Sequence, residues 1–259
     1  MDLQLAGRSA LVCGASQGLG FACALSLARE GVAVTVVARR PDVLEHAARS
    51  IHEETGVPVG FVAADVTTAE GRDKVLGQIP KPDILVTNAG GPPPGDFRQW
   101  GQQDWFSAVN ANMYSPIELI RRVVDSMIER QFGRIVNITS SAVKMPIDIL
   151  GLSNGARSGL TGFVAGLARQ VAGRGVTINN LLPGAFLTAR LEQTARKVAE
   201  NTGRSLDQIS RDRLVSIPAG RFGDPAEFGD ACAYLCSVQA GYMTGQNILL
   251  DGGAFPGVF

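Results

Sequence analysis

Short apolar runs alternate along the chain with longer stretches in which apolar residues recur every three to four positions. The first pattern marks strands covered on both faces of a parallel sheet, and the second marks helices packed against it. The runs fall at Ser9–Cys13, Ala33–Ala38, Val59–Ala63, Ile84–Thr87, Arg134–Ile138, Thr177–Leu182 and Asn247–Leu250. Helical segments are expected near 18–30, 41–54, 69–79, 103–131, 153–173, 190–212 and 225–238. The alternation predicts an α/β fold, a doubly wound parallel sheet of about seven strands with helices on both faces. No repeat, low-complexity tract or linker interrupts it, so residues 1–259 are expected to form a single domain.

The first candidate chemistry follows the first strand, which runs into Gly14-Ala15-Ser16-Gln17-Gly18-Leu19-Gly20 and then a helix. A strand, glycine loop and helix bring backbone N–H groups and a helix N-terminus to a pyrophosphate, which points to a Rossmann-like dinucleotide site. The competing explanation is a tight turn that needs glycine whatever binds. Arg39 and Arg40 end the second strand, where a carboxylate would hold the ribose 2′-hydroxyl of NAD. Two cations there favour the 2′-phosphate of NADP(H). Their alternative is a solvated start to the next helix.

Composition narrows the field. Lys plus Arg balance Asp plus Glu at 24 each, so no net charge draws the chain to nucleic acid or an anionic membrane. Hydrophobic residues make up 45% and charged residues 19%, enough to build a large core. The N-terminal residues lack a basic and then apolar leader, and no apolar run is of spanning length, so a cytoplasmic protein is expected. Cys232 and Cys236 lie one turn apart and both histidines, His46 and His52, sit in one polar helix, so no metal site is expected.

These motifs, with others in order along nearly the whole chain, resemble the short-chain dehydrogenase/reductase family. Asp65-Val66 is similar to the family's adenine contact, and Asn88-Ala89-Gly90 to the motif lining its cofactor cleft. Asn112 resembles the asparagine that holds a water in the proton relay, and Ser140 the serine that bonds the substrate carbonyl. Pro183-Gly184-x-x-x-Thr188 is similar to the nicotinamide-side segment, and Gly245-Gln246 with Asp251-Gly252-Gly253 to the last strand. The resemblance implies an NADP(H)-dependent oxidoreductase of a carbonyl or alcohol substrate, of the 3-oxoacyl-thioester reductase kind. It also implies association into a homotetramer or homodimer.

One departure stands at the centre. Thirteen residues after Ser140, where the family's Tyr-x-x-x-Lys belongs, the chain reads Ser153-Asn154-Gly155-Ala156-Arg157. The three tyrosines, Tyr114, Tyr234 and Tyr242, do not rebuild the motif elsewhere. Serine is a far weaker acid than a tuned phenol, and arginine, with a pKa above ~12, ordinarily stays protonated. Arg157 can still fork to a ribose, a carboxylate or a phosphate. Lys144 and Asp148 are the other candidate acids, unless they are solvated loop charges. Phe97, Trp100 and Trp105 are either a pocket wall or helix packing. The functional alternatives are a catalytically silent NADP(H)-binding sensor or partner protein and, less well supported by the glycines and Arg39, a lyase or isomerase.

Overall fold

The computed structural model describes residues 1–258, and at position 201 the backbone only. Its strands are β1 (Ser9–Cys13), β2 (Ala33–Ala38), β3 (Val59–Ala63), β4 (Ile84–Thr87), β5 (Gly133–Ile138), β6 (Val176–Pro183) and β7 (Asn247–Leu250). They form one parallel sheet in the order β3-β2-β1-β4-β5-β6-β7. The order reverses between β1 and β4, which opens a crevice beyond their carboxyl ends.

The helices are α1 (Gly18–Arg29), α2 (Pro41–Thr55), α3 (Ala69–Gln78), α4 (Gln102–Val109), α5 (Ser115–Glu129), α6 (Gly151–Val171), α7 (Ala189–Thr202), α8 (Leu206–Val215) and α9 (Pro225–Cys236). Strand periodicity sorts the core into two layers. In β1, Ala10 and Val12 pack with Leu27 of α1, Leu44 of α2 and Phe228 of α9. Leu11 and Cys13, pointing the other way, pack with Val75 of α3, Ile120 of α5 and Val164 of α6. The doubly wound arrangement with helices on both faces is therefore present as the apolar pattern indicated.

Two helical expectations need correction. The stretch 103–131 is not one α-helix, because a π-helical turn at Asn110–Tyr114 joins α4 to α5. The stretch 190–212 is two helices. Gly203 ends α7 at φ +68, and Ser205 opens α8 in a capping box with Gln208. Glycine followed by Ser-x-x-Gln is a stop and a start, and the apolar spacing across it hid both.

The α1–α9 contact fixes the helix that follows the glycine loop. Gly229 of α9 meets α1 so closely that a Cβ would lie 2.4 Å from the Ala22 carbonyl oxygen and 2.6 Å from Ser26 Oγ. Ser26 Oγ donates to Asp230 Oδ1 at 2.8 Å beside it. Gly229→Ala is expected to cost about 1–3 kcal/mol, the usual range for an overpacked contact, as a lower urea midpoint at unchanged slope. All four cysteines are buried free thiols, and burial pushes the Cys13 thiol up to about 12. Among the described residues no group of three or more His, Cys, Asp or Glu is placed to hold a metal ion. No helix among them is long and apolar enough to cross a membrane.

Candidate active site

The glycine loop turns at Gly14 and Gly18, with φ of +61 and +62. Its third glycine is required by space, since a Cβ on Gly20 would sit 2.3 Å from the Gly14 carbonyl oxygen. Ser16 and Leu19 are half-buried in the loop, and Gln17 is exposed. Gln17 caps α1 without a side-chain hydrogen bond, and the first turn carries no acid. The opening N–H groups of α1 thus lack a side-chain acceptor, and the positive end of its dipole faces outward, as an anion requires.

The neighbouring strand ends close on this loop. Asn88 Nδ2 donates to the Gly14 carbonyl at 3.3 Å, tying the end of β4 to the loop after β1. Ala89 and Gly90 continue past it, and a Cβ on Gly90 would meet nothing within 4 Å. Arg39 and Arg40 are exposed at the end of β2, and among the described residues neither forms an ion pair. Asp65 Oδ1 accepts the Thr67 N–H at 2.9 Å and hydroxyl at 2.8 Å, while buried Arg72 donates to the Val66 carbonyl at 2.9 Å. Across the crevice Pro183 ends β6 and Gly184 lies against Asp251, where a Cβ would be 2.7 Å from Asp251 Cα. Thr188 caps α7, and its methyl would lie 3.6 Å from a Cβ on Gly18.

The Ser153–Arg157 pair sits in the first turns of α6. Both residues are buried, at 6% and 8% exposure. Arg157 Nε donates to Ser153 Oγ at 3.2 Å, Nη1 to the Ile138 carbonyl at 2.9 Å, and Nη2 toward the Ala89 carbonyl at 3.5 Å. One guanidinium therefore joins α6, the end of β5 and the segment after β4. Burial, and then the charge of Arg190, hold its pKa down to about 10. That is below the ordinary arginine value above ~12, and among the described residues no carboxylate pairs with the buried charge.

Ser140 Oγ accepts the Ala142 N–H at 3.1 Å, which leaves its own proton free to donate elsewhere. Asn112 lies in the π turn, a device often found at functional sites. Its Nδ2 reaches the Ala108 carbonyl at 3.3 Å and the Gly90 carbonyl at 3.5 Å, while its buried Oδ1 has no partner among the described residues. Lys144 is half-buried with Nζ 5.9 Å from the Phe255 ring centre, and Asp148 is exposed.

Of the three aromatic residues, Trp100 and Trp105 pack against α6 and Phe97 is exposed. Trp100 and Trp105 meet edge to face at 6.4 Å, and Phe97 is 67% exposed. Glycines at 151, 155 and 159 form a ridge on α6 that lies against Trp100, Trp105 and Met113 in turn. Sequence reasoning missed Arg190 at the start of α7. It lies 33 positions from Arg157 in the chain, and no motif links the two.

Comparison with known proteins agrees with this layout. The family model described as enoyl-(acyl carrier protein) reductase matches residues 14–254. The 3-oxoacyl-[acyl-carrier-protein] reductase FabG of Vibrio cholerae is 33% identical over 98% of this chain and 99% of its own. The acetoacetyl-CoA reductase of Cupriavidus necator is 31% identical over 96% and 99%. The structure of L-sorbose reductase from Gluconobacter frateurii, complexed with NADPH and L-sorbose, superposes with a TM-score of 0.94 at 30% identity over the whole of both chains. With a seven-stranded parallel sheet, a glycine loop at its switch point and a match from end to end, this chain belongs to the short-chain dehydrogenase/reductase family of oxidoreductases.

Proposed function

We propose that the protein is an NADP(H)-dependent reductase of a carbonyl compound in which Ser153 and Arg157 serve at the position of the family's tyrosine and lysine. The observation that carries this reading is the buried Arg157 guanidinium, which binds together Ser153, the end of β5 beside Ser140, and the segment after β4. The cofactor's residues fit. The start of α1, uncapped by a side chain, and the glycine loop packed against it suit a pyrophosphate, and the exposed Arg39 and Arg40, in no ion pair among the described residues, suit a 2′-phosphate. Asp65, Val66, Asn88, Ala89, Gly90, Pro183, Gly184 and Thr188 line the remaining path.

When bound, NADPH supplies hydride to the carbonyl carbon. The chain's part is to hold the oxygen and stabilise the charge that develops on it. Ser140 and Ser153 each accept a hydrogen bond on the oxygen, from the Ala142 N–H and from Arg157 Nε, so each hydroxyl proton is left to donate. Two such donors form an oxyanion pocket, with the Arg157 charge behind one of them. The developing alkoxide is about as basic as a serine alkoxide, so Ser153 can pass it a proton at little cost. Asn112 Oδ1, buried and without a hydrogen-bond partner among the described residues, suits the water that resupplies it. The half-buried strand β7 is the edge on which association into a homodimer or homotetramer is expected.

The test is NADPH oxidation across a panel of carbonyl compounds. Slow turnover is expected, and Ser140→Ala or Ser153→Ala should each lower kcat by about 10²–10³-fold with NADPH affinity unchanged, the usual effect of losing one such donor. A protein that binds NADPH tightly but reduces nothing, and that gains turnover as the Ser153→Tyr, Arg157→Lys double variant, would instead be the silent binding protein.

A further inference from the structure

Arg157 does not act alone. Arg190, the second residue of α7, reaches back across the crevice, and its Nη2 donates to the Pro92 carbonyl at 3.1 Å and approaches the Gly91 carbonyl at 3.5 Å. A Cβ built on Gly91 would lie 3.4 Å from Arg190 Nη2 and 3.9 Å from Arg157 Nη2. The two guanidinium ends are thus separated by no more than two van der Waals contacts, and the backbone beneath them accepts through the Ala89, Gly91 and Pro92 carbonyls. Among the described residues neither arginine has a carboxylate within ion-pairing distance. Like charges held this close, one of them buried, are stabilised by an anion placed between them.

We infer that Arg157 and Arg190 form a clamp for a carboxylate carried by the substrate. A guanidinium has five N–H donors, and each arginine keeps some of them uncommitted to the protein. The fork geometry suits a planar carboxylate. The orientation of Arg157 limits the substrate further. Its Nε edge faces Ser153, which holds the carbonyl oxygen in the proposed reaction, while its Nη2 end faces Gly91 and Arg190. Carbonyl and carboxylate must therefore lie within the span of one guanidinium. That geometry selects a short free 2-oxo or 3-oxo acid, rather than the thioester of such an acid.

This inference rests on the reductase reading, so its test measures binding rather than turnover. The full-length protein is saturated with NADP+, which has no hydride to give, and is titrated calorimetrically with pyruvate and acetoacetate beside their methyl esters. At least one acid is expected to bind about tenfold or more tighter than its ester, and Arg190→Gln to weaken that acid about 10–100-fold, the worth of a charged hydrogen bond. The esters and NADP+ should be unaffected by the substitution, which lies on an exposed helix start and leaves the core intact. Equal binding of acid and ester overturns the clamp, as does binding of neither acid. Loss of NADP+ affinity in Arg190→Gln with acid affinity retained overturns it too, by assigning the pair to the dinucleotide. If the clamp fails while neutral ketones are still reduced with NADPH, the reductase reading stands. Failure of NADP+ to bind at all sinks that reading, and with it the clamp, before any acid is added.

Discussion

Replacing Arg39 with Asp and Arg40 with Gln is expected to raise the Kd for NADPH by about 10²–10⁴-fold and to lower the Kd for NADH. A hydrogen bond to a charged group is worth about 1.5–3 kcal/mol, so two lost together amount to several powers of ten in affinity once each 1.4 kcal/mol is counted as tenfold. Both side chains are exposed and outside every ion pair among the described residues, so their removal leaves the fold unchanged. Their placement is fixed from below. β2 pairs with β1 from Ala33 to Val37, and the Ala15 N–H donates to the Val37 carbonyl at 3.2 Å, so the glycine loop and the arginines share one support. The carboxylate at position 39 then both accepts a ribose hydroxyl and repels a phosphate. Fluorescence titration of the two nucleotides reads the exchange. Unaltered NADPH affinity in the double variant would place the 2′-phosphate elsewhere and remove the reason for preferring NADP(H).

The sheet was legible because its strands are short, largely apolar runs, and β1, β4, β5 and β6 are almost wholly buried, which leaves no competing period. The observed strands β1, β2, β3, β4 and β7 have the bounds read from the sequence, and β5 and β6 are only extended at their ends. The helical layer was less legible. A π turn within 110–114 adds a residue without breaking the apolar spacing, and tertiary packing of Met113 and Trp105 on the α6 glycine ridge decides it. The site divides in the same way. The glycine loop and the segment after β4 are contiguous motifs. The two guanidiniums come near each other only because the side chains of Arg157 and Arg190 both reach Gly91. Even the acidity of Arg157 is invisible in sequence, since it comes from burial and from Arg190.

The three glycines that line the crevice should respond to alanine in a steep order, and Gly20 should respond most. At Gly20 the added Cβ would lie 2.3 Å from the Gly14 carbonyl oxygen, 2.8 Å from its carbon and 2.9 Å from Asn88 Nδ2. Two of those atoms are backbone and the third holds the loop, so no side chain can swing away to relieve the contact. The loop must move, and its N–H groups leave the positions from which they would meet a pyrophosphate. NADPH affinity is expected to fall at least about 100-fold, since more than one charge-assisted hydrogen bond is lost. Stability should fall by about 1–3 kcal/mol through overpacking. At Gly18 the Cβ would only touch Thr188 Cγ2 at 3.6 Å, and the cost is the left-handed backbone at φ +62, about 1–2 kcal/mol for a residue with a side chain. At Gly90 the Cβ meets no protein atom within 4 Å, so stability should change little. Nucleotide titration and urea unfolding of the three variants measure both effects. If Gly20→Ala binds NADPH as well as the unaltered protein does, the loop is a tight turn and nothing more, because a loop that must present its backbone to a ligand cannot shift without losing affinity.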